Sequence, residues 1–509
     1  MRRASIALAI VLFSVFLSPL QRELYVGDET KYSQVVREMR AGSFILPTLE
    51  GSPFTHKPPL HFWLIDLLTV PFGVYSIWPF VLPSLVAFAL LLLLMKKMGG
   101  TMAAFVCGTS LLMWGSAQTA RMDVAFAALL ALSAYFIRRE KGPLPVSAGI
   151  ATGIAFLVKG PMAPVITLAL FAFESIRLRR RPRGRDALAI LPMIVIPLLW
   201  LVPALLIGGE PFWREIFYKQ TVGRAVGAWV HKSPPWFYLV RAPLTLLPWF
   251  FLTVAAIVAA YRRKDDEAKF AVSWMLAVLV PYTLLSSKLD VYMIAMLPAV
   301  ALLVGQFVEV DDAWGRRANL VMLALFALIG VAGLVVQPSQ IKGEDGALVA
   351  RLDVRLLFVV LLVASIIAAV VTLRGTLRIS TLATGFVPVA ALAYAAIALV
   401  PLANELASTR PLVRALQKQI VEQRVAPESV ALYVCPHLWV RGMNPDFWHA
   451  ALVDADGLRA LDPQVIVARR KDAEQVSDVL SRYERVDELR MIGKWFDVYR
   501  KEAAPRDSR

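Results

Sequence analysis

Apolar stretches alternate with short charged segments through residues 1–403 of the chain. The stretches run to roughly 13 to 22 residues, and most match the length of helix that crosses the hydrocarbon core of a bilayer. The pattern predicts an α-helical polytopic membrane protein with about 13 transmembrane helices. The approximate ranges of these spans are 4–20, 77–95, 101–117, 124–137, 146–158, 161–176, 187–207, 244–261, 270–285, 291–307, 318–336, 356–373 and 380–401.

Basic residues are concentrated in every second connection between these spans. With the N-terminus in the cytoplasm, almost every dense group of Lys and Arg lies on the cytoplasmic side, as the positive-inside rule requires. An odd number of spans then places the C-terminal segment outside. The cytoplasmic groups are Arg2 and Arg3, Lys96 and Lys97, Arg138, Arg139 and Lys141, the cluster 177–185, Arg262, Arg263 and Lys264, Arg316 and Arg317, and Arg374 and Arg378.

The first apolar stretch follows Arg2 and Arg3 and extends to Leu20. A basic start before an apolar run is also typical of a secretory signal peptide. No small-residue cleavage pattern precedes Gln21. We therefore favour an uncleaved first transmembrane helix over a signal peptide.

The composition changes after Pro401, where charged and apolar residues become mixed. Residues 430–434 and 465–468 have the pattern of short strands, and residues 471–483 that of a helix. The chain therefore divides into a transmembrane domain, 1–403, and a small α/β domain, 404–509, which we expect outside the membrane. Two long outer loops, 21–76 and 208–243, belong to the first domain.

Composition supports a membrane class and excludes others. Hydrophobic residues make up 58% and charged residues 18% of the chain, against about 25% charged in soluble proteins. The net charge of +16 lies in connections between spans, which indicates topology and gives no reason to expect a nucleic-acid partner. Cys107 and Cys435 suggest neither a disulfide framework nor a metal site.

Acidic residues open the first outer loop. Asp28 and Glu29 come shortly after the first span and begin a stretch, 29–40, with a helical pattern. A carboxylate here fits a general base or a metal ligand, but acidic residues are also ordinary at the first turn of a helix. The two roles are compatible, so both Asp28 and Glu29 are candidate catalytic residues.

Two histidines in the outer loops are candidate metal ligands. His56 precedes Lys57-Pro58-Pro59 in the first loop, and His231 lies in the second. Together with Asp28 or Glu29 they have the ligand types for a divalent cation. A hydrogen-bonding or loop-anchoring role is equally compatible with their positions. No cofactor is therefore certain, and a divalent metal ion remains an open expectation.

Several cations lie at the outer ends of spans, where lysine is less expected. Together they form a candidate anion site for a lipid phosphate. The simpler alternative is that each side chain only anchors the end of its helix at the membrane surface. Arg121 and Asp123 begin another span, where an ionisable residue is costly unless it is paired or functional. The alternative there is an ion pair between Arg121 and Asp123. The candidate phosphate-binding cations are Lys57, Lys159, Arg224 and Lys288.

These motifs occur in one order on the outer face. In this order they resemble the aminoarabinose-transferase-like family, which is related to the protein O-mannosyltransferases of the C-type glycosyltransferase superfamily. The resemblance covers roughly residues 20–305, with the later part similar in layout only. The matching motifs are Gly27-Asp28-Glu29 with Tyr32, His56-Lys57-Pro58-Pro59, Ala120-Arg121-Met122-Asp123, Lys159-Gly160-Pro161, residues 231–238 and Ser287-Lys288.

The resemblance implies a C-type glycosyltransferase fold and transfer of a sugar from an undecaprenyl-phosphate donor, usually with inversion. It implies a bacterial inner-membrane protein whose active site and C-terminal domain are periplasmic, with membrane lipid as its surroundings. Asp28 matches the catalytic aspartate of the family and Asp123 its second acidic residue. Lys57, Lys159 and Arg224 match the residues that hold the donor phosphate, while Tyr32, Arg121 and Lys288 are further candidate substrate contacts.

One departure from the family pattern affects the expected acceptor. Aminoarabinose transferases tend to have an acidic residue before the Lys-Pro pair, where this chain has His56. The acceptor is therefore expected only as lipid A or another cell-envelope glycolipid or glycan. A protein O-mannosyltransferase remains an alternative, as does a lipid or solute transporter. A transporter, however, usually keeps its charges near the membrane midplane.

Overall fold

The computed structural model describes residues 2–140, 144–216, 233–336 and 354–501. Two parts are evident, a helical bundle formed by the apolar stretches and a small sheet domain near the C-terminus. The helices of the bundle are α1 (Arg2–Ser14), α2 (Asp28–Arg40), α3 (Leu60–Phe72), α4 (Trp78–Thr109), α5 (Leu111–Ala117), α6 (Asp123–Glu140), α7 (Val146–Lys159), α8 (Met162–Arg177), α9 (Ala187–Arg214), α10 (Phe237–Thr245), α11 (Phe250–Arg263), α12 (Asp266–Leu284), α13 (Leu297–Val308), α14 (Ala313–Val335), α15 (Arg355–Arg374) and α16 (Leu377–Ala398).

Every predicted span overlaps one of these helices. Within the described ranges, six helical segments are long and apolar enough to cross a membrane, and a seventh forms if the bent pair α10–α11 is one span. The remaining predicted spans lie on shorter or more polar helices, so the count of thirteen remains a prediction. The six segments are Trp78–Thr109, Gly184–Arg214, Asp290–Val308, Ala313–Val335, Arg355–Arg374 and Leu377–Ala398.

Glycines determine how closely several of these helices pack. Helix α4 is interrupted at Gly99 and Gly100, where Gly100 has φ +77°, so two predicted spans share one broken helix. A Cβ atom on Gly305 of α13 would lie 2.6 Å from the backbone of Ala103 on α4. Small residues allow such backbone contact between membrane helices, where dispersion forces and not hydrophobic burial hold the helices together.

The first outer loop contains two helices. The predicted helical stretch 29–40 corresponds to α2, and α3 follows it at Leu60–Phe72. Tyr32, Val35 and Val36 are buried on α2, and Phe62 and Ile65 on α3. This loop therefore packs as part of the protein core, and α2 forms a fixed element above the bundle.

The C-terminal domain is built on a five-stranded mixed sheet of order β4-β3-β5-β7-β6. Strands β4, β3 and β5 are parallel, whereas β7 pairs antiparallel with β5 and β6. A two-stranded hairpin, β1 with β2, lies in the first outer loop. The strands are β1 (Thr48–Leu49), β2 (Ser52–Pro53), β3 (Val430–Tyr433), β4 (Ala451–Val453), β5 (Val465–Arg469), β6 (Tyr483–Met491) and β7 (Lys494–Lys501).

Both faces of the parallel strands are covered, as is usual for parallel strands. Leu432 and Val467 pack with Leu412 and Leu416 of α18 (Arg410–Gln417). The opposite face packs on α19 (Ala455–Ala460) and α20 (Ser477–Leu480), and the short α17 (Val400–Ala407) connects the two domains. The helix expected over 471–483 is instead a 3-10 turn, Arg470–Val476, followed by α20. Strands β4, β6 and β7 were not predicted.

The segment that follows α1 joins the sheet domain to the bundle. The Arg441 side chain donates hydrogen bonds to the carbonyls of Pro19, Leu20 and Arg22. Asn404 donates to the carbonyl of Gln21. Glu23 belongs to the same contact between the two domains, which we call the domain seam. Its carboxylate is 1% exposed and accepts hydrogen bonds from Arg410 and from the backbone N–H of Arg441. The two domains therefore share a polar interface and not a flexible linker.

The Glu23–Arg410 ion pair gives a test of this seam. Arg410→Ala should lower the free energy of unfolding by about 3 kcal/mol, because it leaves a buried carboxylate without its charged partner. Arg414→Ala is the matched control, since Arg414 lies on the same helix and its exposed side chain also pairs with Glu405. That change should cost less than about 1 kcal/mol. Denaturant unfolding of the detergent-solubilised protein measures both, and equal losses would contradict the assignment.

Candidate active site

Asp28 is the first residue of α2. Gly27, immediately before it, has φ +128°, a conformation that side-chain-bearing residues rarely adopt. The Asp28 residue is exposed, and no hydrogen bond to it occurs among the described residues. A negative charge is favoured at this end of a helix by the backbone dipole. Asp28 is thus both a helix-terminal acid and a carboxylate available to a substrate.

Glu29, its neighbour, is buried in a dense polar clamp. Arg22 binds both of its carboxylate oxygens, at 3.0 and 2.5 Å. The backbone N–H groups of Tyr25 and Ala120 donate to the same carboxylate at 2.9 and 2.7 Å, and Arg22 also donates to the carbonyl of Gln118 at 2.9 Å. The clamp therefore fixes the turn containing Ala120 against the start of α2.

That turn leads directly into α6, and it brings Asp123 beside the end of α7. Asp123 is the first residue of α6 and Lys159 the last of α7, and the two form a salt bridge. Each charge lies at the helix end that its sign favours. Both side chains are less than a tenth exposed. The expected alternative, a pair between Arg121 and Asp123, is wrong, because Asp123 pairs with Lys159.

Lys57 extends this positive region from the first outer loop. It lies within electrostatic range of Asp123, as does Arg121. A Cβ atom on Gly160 would lie 3.9 Å from Pro58, so the residue after Lys159 is in contact range of the residue after Lys57. Gly160 has φ +93°, which ends α7. The motifs at Lys57 and Lys159, about a hundred residues apart, therefore meet at one place.

Tyr32 lies within electrostatic range of both Asp28 and Asp123. Burial and then the negative charges of Asp28 and Asp123 raise the pKa of its phenol well above its ordinary value. The hydroxyl therefore stays protonated at neutral pH and can donate a hydrogen bond. Its ring packs edge-on against Phe62, with 5.2 Å between the ring centroids. This packing fixes Tyr32 one helical turn after Asp28.

Lys288 is buried and contacts backbone. Its ammonium group donates hydrogen bonds to the carbonyls of Leu285, at 2.5 Å, and Ser233, at 3.1 Å. Ser233 in turn donates its N–H to the carbonyl of Ser286. Lys288 therefore ties the end of the second long outer loop to the connection after α12, a positioning contact that sequence alone did not suggest.

The metal-ligand candidates are only partly placed. His56 is exposed, and its ring packs on Phe54 with 5.2 Å between the ring centroids. His231 and Arg224 lie outside the described residues. Within the described ranges, no group of three His, Cys, Asp or Glu side chains is arranged to hold a metal ion. A metal site that includes His231 therefore stays a prediction.

Sequence reasoning missed several residues of this site. Arg22 carries the clamp on Glu29, and an arginine directly after the first span was the available signal. His61 is buried beside Tyr32, with 6.2 Å between the ring centroids, and it is the one histidine within an apolar helix, α3. Tyr292 faces Lys159, whose ammonium nitrogen lies 4.8 Å from the ring centroid. No local pattern identified Tyr292.

The arrangement combines an exposed carboxylate with two lysines from different segments. Lysine ammonium groups stabilise phosphate oxygens, and one buried between a carboxylate and an aromatic ring has donors left for a ligand. A carboxylate such as Asp28 can assist a nucleophile, and lysines such as Lys57 and Lys159 can stabilise an anionic leaving group. The arrangement therefore suits a reaction in which a nucleophile attacks and an anionic group leaves.

Comparison with known proteins supports this chemistry. Residues 56–207 match the family model described as dolichyl-phosphate-mannose-protein mannosyltransferase. This region contains Lys57, Arg121, Asp123 and Lys159.

Two curated relatives are undecaprenyl phosphate-alpha-4-amino-4-deoxy-L-arabinose arabinosyl transferases. The one from Serratia proteamaculans is 29% identical over 366 residues, covering 66% of this chain and 65% of the relative. The one from Pseudomonas aeruginosa (strain LESB58) is 28% identical over 374 residues, covering 67% and 68%. The matched part therefore spans about two thirds of these relatives' length.

Solved structures extend the likeness to the whole fold. ArnT from Cupriavidus metallidurans bound to undecaprenyl phosphate has a TM-score of 0.74 with 20% sequence identity, covering 98% of this chain and 97% of that one. Its apo state gives the same TM-score over 99% of both chains. In sequence the chain is thus similar to the aminoarabinose transferases and, over residues 56–207, to the protein mannosyltransferases, and in fold it is similar to ArnT, which together support an aminoarabinose-transferase-like glycosyltransferase.

Proposed function

We propose that this protein transfers a sugar from a polyprenyl-phosphate donor to a glycolipid of the cell envelope, of the lipid A class. The observation that carries the proposal is the buried Asp123–Lys159 pair with Lys57 within electrostatic range, near Tyr32, which also feels the charge of the exposed Asp28. The names of the relatives supply the donor and the sugar class, an undecaprenyl-phosphate-linked aminoarabinose. The name of the structural neighbour supplies a bound undecaprenyl phosphate.

The lysines act on the leaving group. As the bond from the anomeric carbon to the phosphate oxygen breaks, the polyprenyl phosphate takes the electron pair and its negative charge grows. Lys159 and Lys57 stabilise this charge, an effect that is strong where water is excluded. Asp123 holds the Lys159 ammonium in place, and Tyr292 covers it. Arg224 would join this group from the second outer loop.

Asp28 acts on the acceptor. If the acceptor is a hydroxyl, Asp28 removes its proton as the oxygen attacks the anomeric carbon from the face opposite the phosphate, with inversion. If the acceptor is itself a phosphate, no proton need be removed, and Asp28 orients the acceptor or stabilises positive charge on the sugar. Tyr32, one turn below, donates a hydrogen bond to the substrate in either case.

Glu29 and Lys288 take positioning roles in this proposal. Both carboxylate oxygens of Glu29 already accept hydrogen bonds from Arg22 or from backbone N–H groups. Because these bonds join the start of α2 to the turn before α6, Glu29 holds Asp28 and Asp123 at a fixed separation. Lys288 binds two carbonyls, which anchors the second outer loop over the site. Arg121 contributes long-range positive charge to Asp123.

The first test is a pair of aspartate variants. Asp28→Asn should lower the transfer rate about 100-fold or more while donor binding persists, because it removes the proton acceptor without changing shape. Asp446→Asn, an exposed residue of the C-terminal domain, is the control and should transfer normally. Purified variants in detergent receive radiolabelled undecaprenyl-phosphate sugars and an outer-membrane glycolipid fraction, and label transfer is followed. Full activity in Asp28→Asn would rule out Asp28 as the base.

A second test separates lysine from metal catalysis. Lys57→Gln should lower kcat/KM for the donor about 100-fold, because one cation at the leaving phosphate is lost. Lys494→Gln, an exposed lysine of β7, should leave it unchanged. If the lysines alone stabilise the leaving phosphate, EDTA should not slow the wild-type enzyme. A rate that collapses in EDTA and returns with a divalent cation would instead favour a site at His56 and His231.

A third test concerns sidedness. We propose that the protein is oriented with its active site and C-terminal domain in the periplasm, as the distribution of basic residues favours. Alkaline phosphatase fused after Lys501, the last described residue, should therefore be active in living cells, and a fusion within the connection 138–145 should be inactive. The reverse activities would place the C-terminal domain on the cytoplasmic side and contradict the proposed orientation.

A further inference from the structure

A cleft lies between α2 and the C-terminal domain, apart from the site just described. It has a volume of about 300 Å³, within the range typical of small-molecule sites. The first outer loop contributes one wall and the sheet domain the other. Its polar or aromatic lining residues are Gln34, Arg37, Glu50, Phe447, Trp448 and His449.

Arg37 is the unusual member of this lining. Its residue is only 2% exposed, yet within the described residues its Nε and Nη1 atoms have no hydrogen-bond partner. The remaining nitrogen, Nη2, donates to the carbonyl of Leu438 at 2.8 Å. A buried guanidinium with unused donors is costly unless another group satisfies them. Burial also lowers the pKa of Arg37, while a contact with the Tyr75 side chain and the charge of Glu38 act in the opposite direction.

The position of Arg37 on α2 separates it from the catalytic carboxylate. Nine residues divide Asp28 from Arg37, which is about 14 Å along a helix and half a turn around it. Tyr32 faces Phe62 and the bundle, whereas Arg37 faces the sheet domain through Leu438 and Trp448. One helix therefore has a catalytic end and a separate cationic face.

The groups around Arg37 are those that bind sugars. The Trp448 ring lies 5.1 Å from the guanidinium carbon and is still 38% exposed, so part of it is available to a sugar ring. Gln34 and His449 offer hydrogen-bonding side chains, and the half-exposed Glu50 can accept from hydroxyls. Glu38, the nearby second carboxylate, is already bonded to Gln34, Thr48 and the N–H groups of Glu50 and Gly51.

We propose that this cleft binds an anionic saccharide, with the phosphate or carboxylate of the sugar on Arg37 and its ring against Trp448. Arginine binds both anions through its N–H donors, and Nε and Nη1 each have a donor that no described residue uses. If the proposed function holds, the saccharide is the headgroup of the acceptor. The binding itself does not depend on that function.

Binding is measured without any donor, so it is separate from the transfer test. The full-length protein in detergent is titrated with glucose 1-phosphate and glucuronic acid, with glucose as the neutral probe, by saturation-transfer NMR. The wild type should bind both anionic sugars more tightly than glucose. Arg37→Gln should weaken that binding about tenfold or more. Arg40→Gln, three residues further along α2 and exposed, should leave it unchanged.

A second variant guards against misfolding of Arg37→Gln. Trp448 is part exposed, so Trp448→Ala should fold normally and weaken all three sugars. Equal binding of glucose and glucose 1-phosphate, no binding of either anionic sugar, or unchanged binding in both variants would overturn the proposal. In a transfer assay with lipid-linked acceptor, Arg37→Gln should raise the acceptor KM and leave the donor KM unchanged. An unchanged acceptor KM with weakened sugar binding would remove the acceptor assignment and assign the cleft to free sugars.

Discussion

The buried ion pair between Asp123 and Lys159 is the constraint on which the site depends. Removing two charges from water at a membrane boundary is expensive, and their mutual attraction often does no more than offset that cost. The pair is therefore weak evidence for stability and better evidence for function. Its geometry also explains the surrounding structure, because α6 must begin and α7 must end at the same level for the two charges to meet. Lys57 and Tyr292 then approach a cation whose position is already fixed.

Helix α2 links this pair to the rest of the protein. Its first turn is clamped through Glu29 to Arg22 and to the turn before Asp123. Its second half faces the sheet domain through Arg37 and Leu438. The segment that carries Arg22 also carries Glu23, which pairs with Arg410 at the domain seam. Adjacent residues thus point to opposite partners, so the sheet domain and the catalytic turn are positioned from one short piece of chain.

The sequence predicted the elements well where a local pattern determined them. Apolar length identified the helices of the bundle, and the helical repeat identified α2, because both signals are contained in consecutive residues. The order of the motifs along the chain also predicted that Lys57, Asp123 and Lys159 lie on the same face of the membrane. The pairing of Asp123 with Lys159 in place of Arg121 was not predictable, since it depends on how α6 and α7 pack. Strands β4, β6 and β7 were missed; β4 has only three residues, and five of the nine residues of β6 are charged.

The sequence analysis missed both Arg22 and Arg37, but for different reasons. Arg22 lies beside the motif Gly27-Asp28-Glu29, so its role is local to a recognised segment. The environment of Arg37 depends on its contacts with Leu438 and Trp448, which lie some four hundred residues away in the sequence. In the sequence, Arg37 has the position of a residue on the solvent-exposed face of an amphipathic helix. It becomes buried because the sheet domain covers that face. In a protein whose core is mostly apolar, such a covered cation with unused donors is where a polar ligand is best sought.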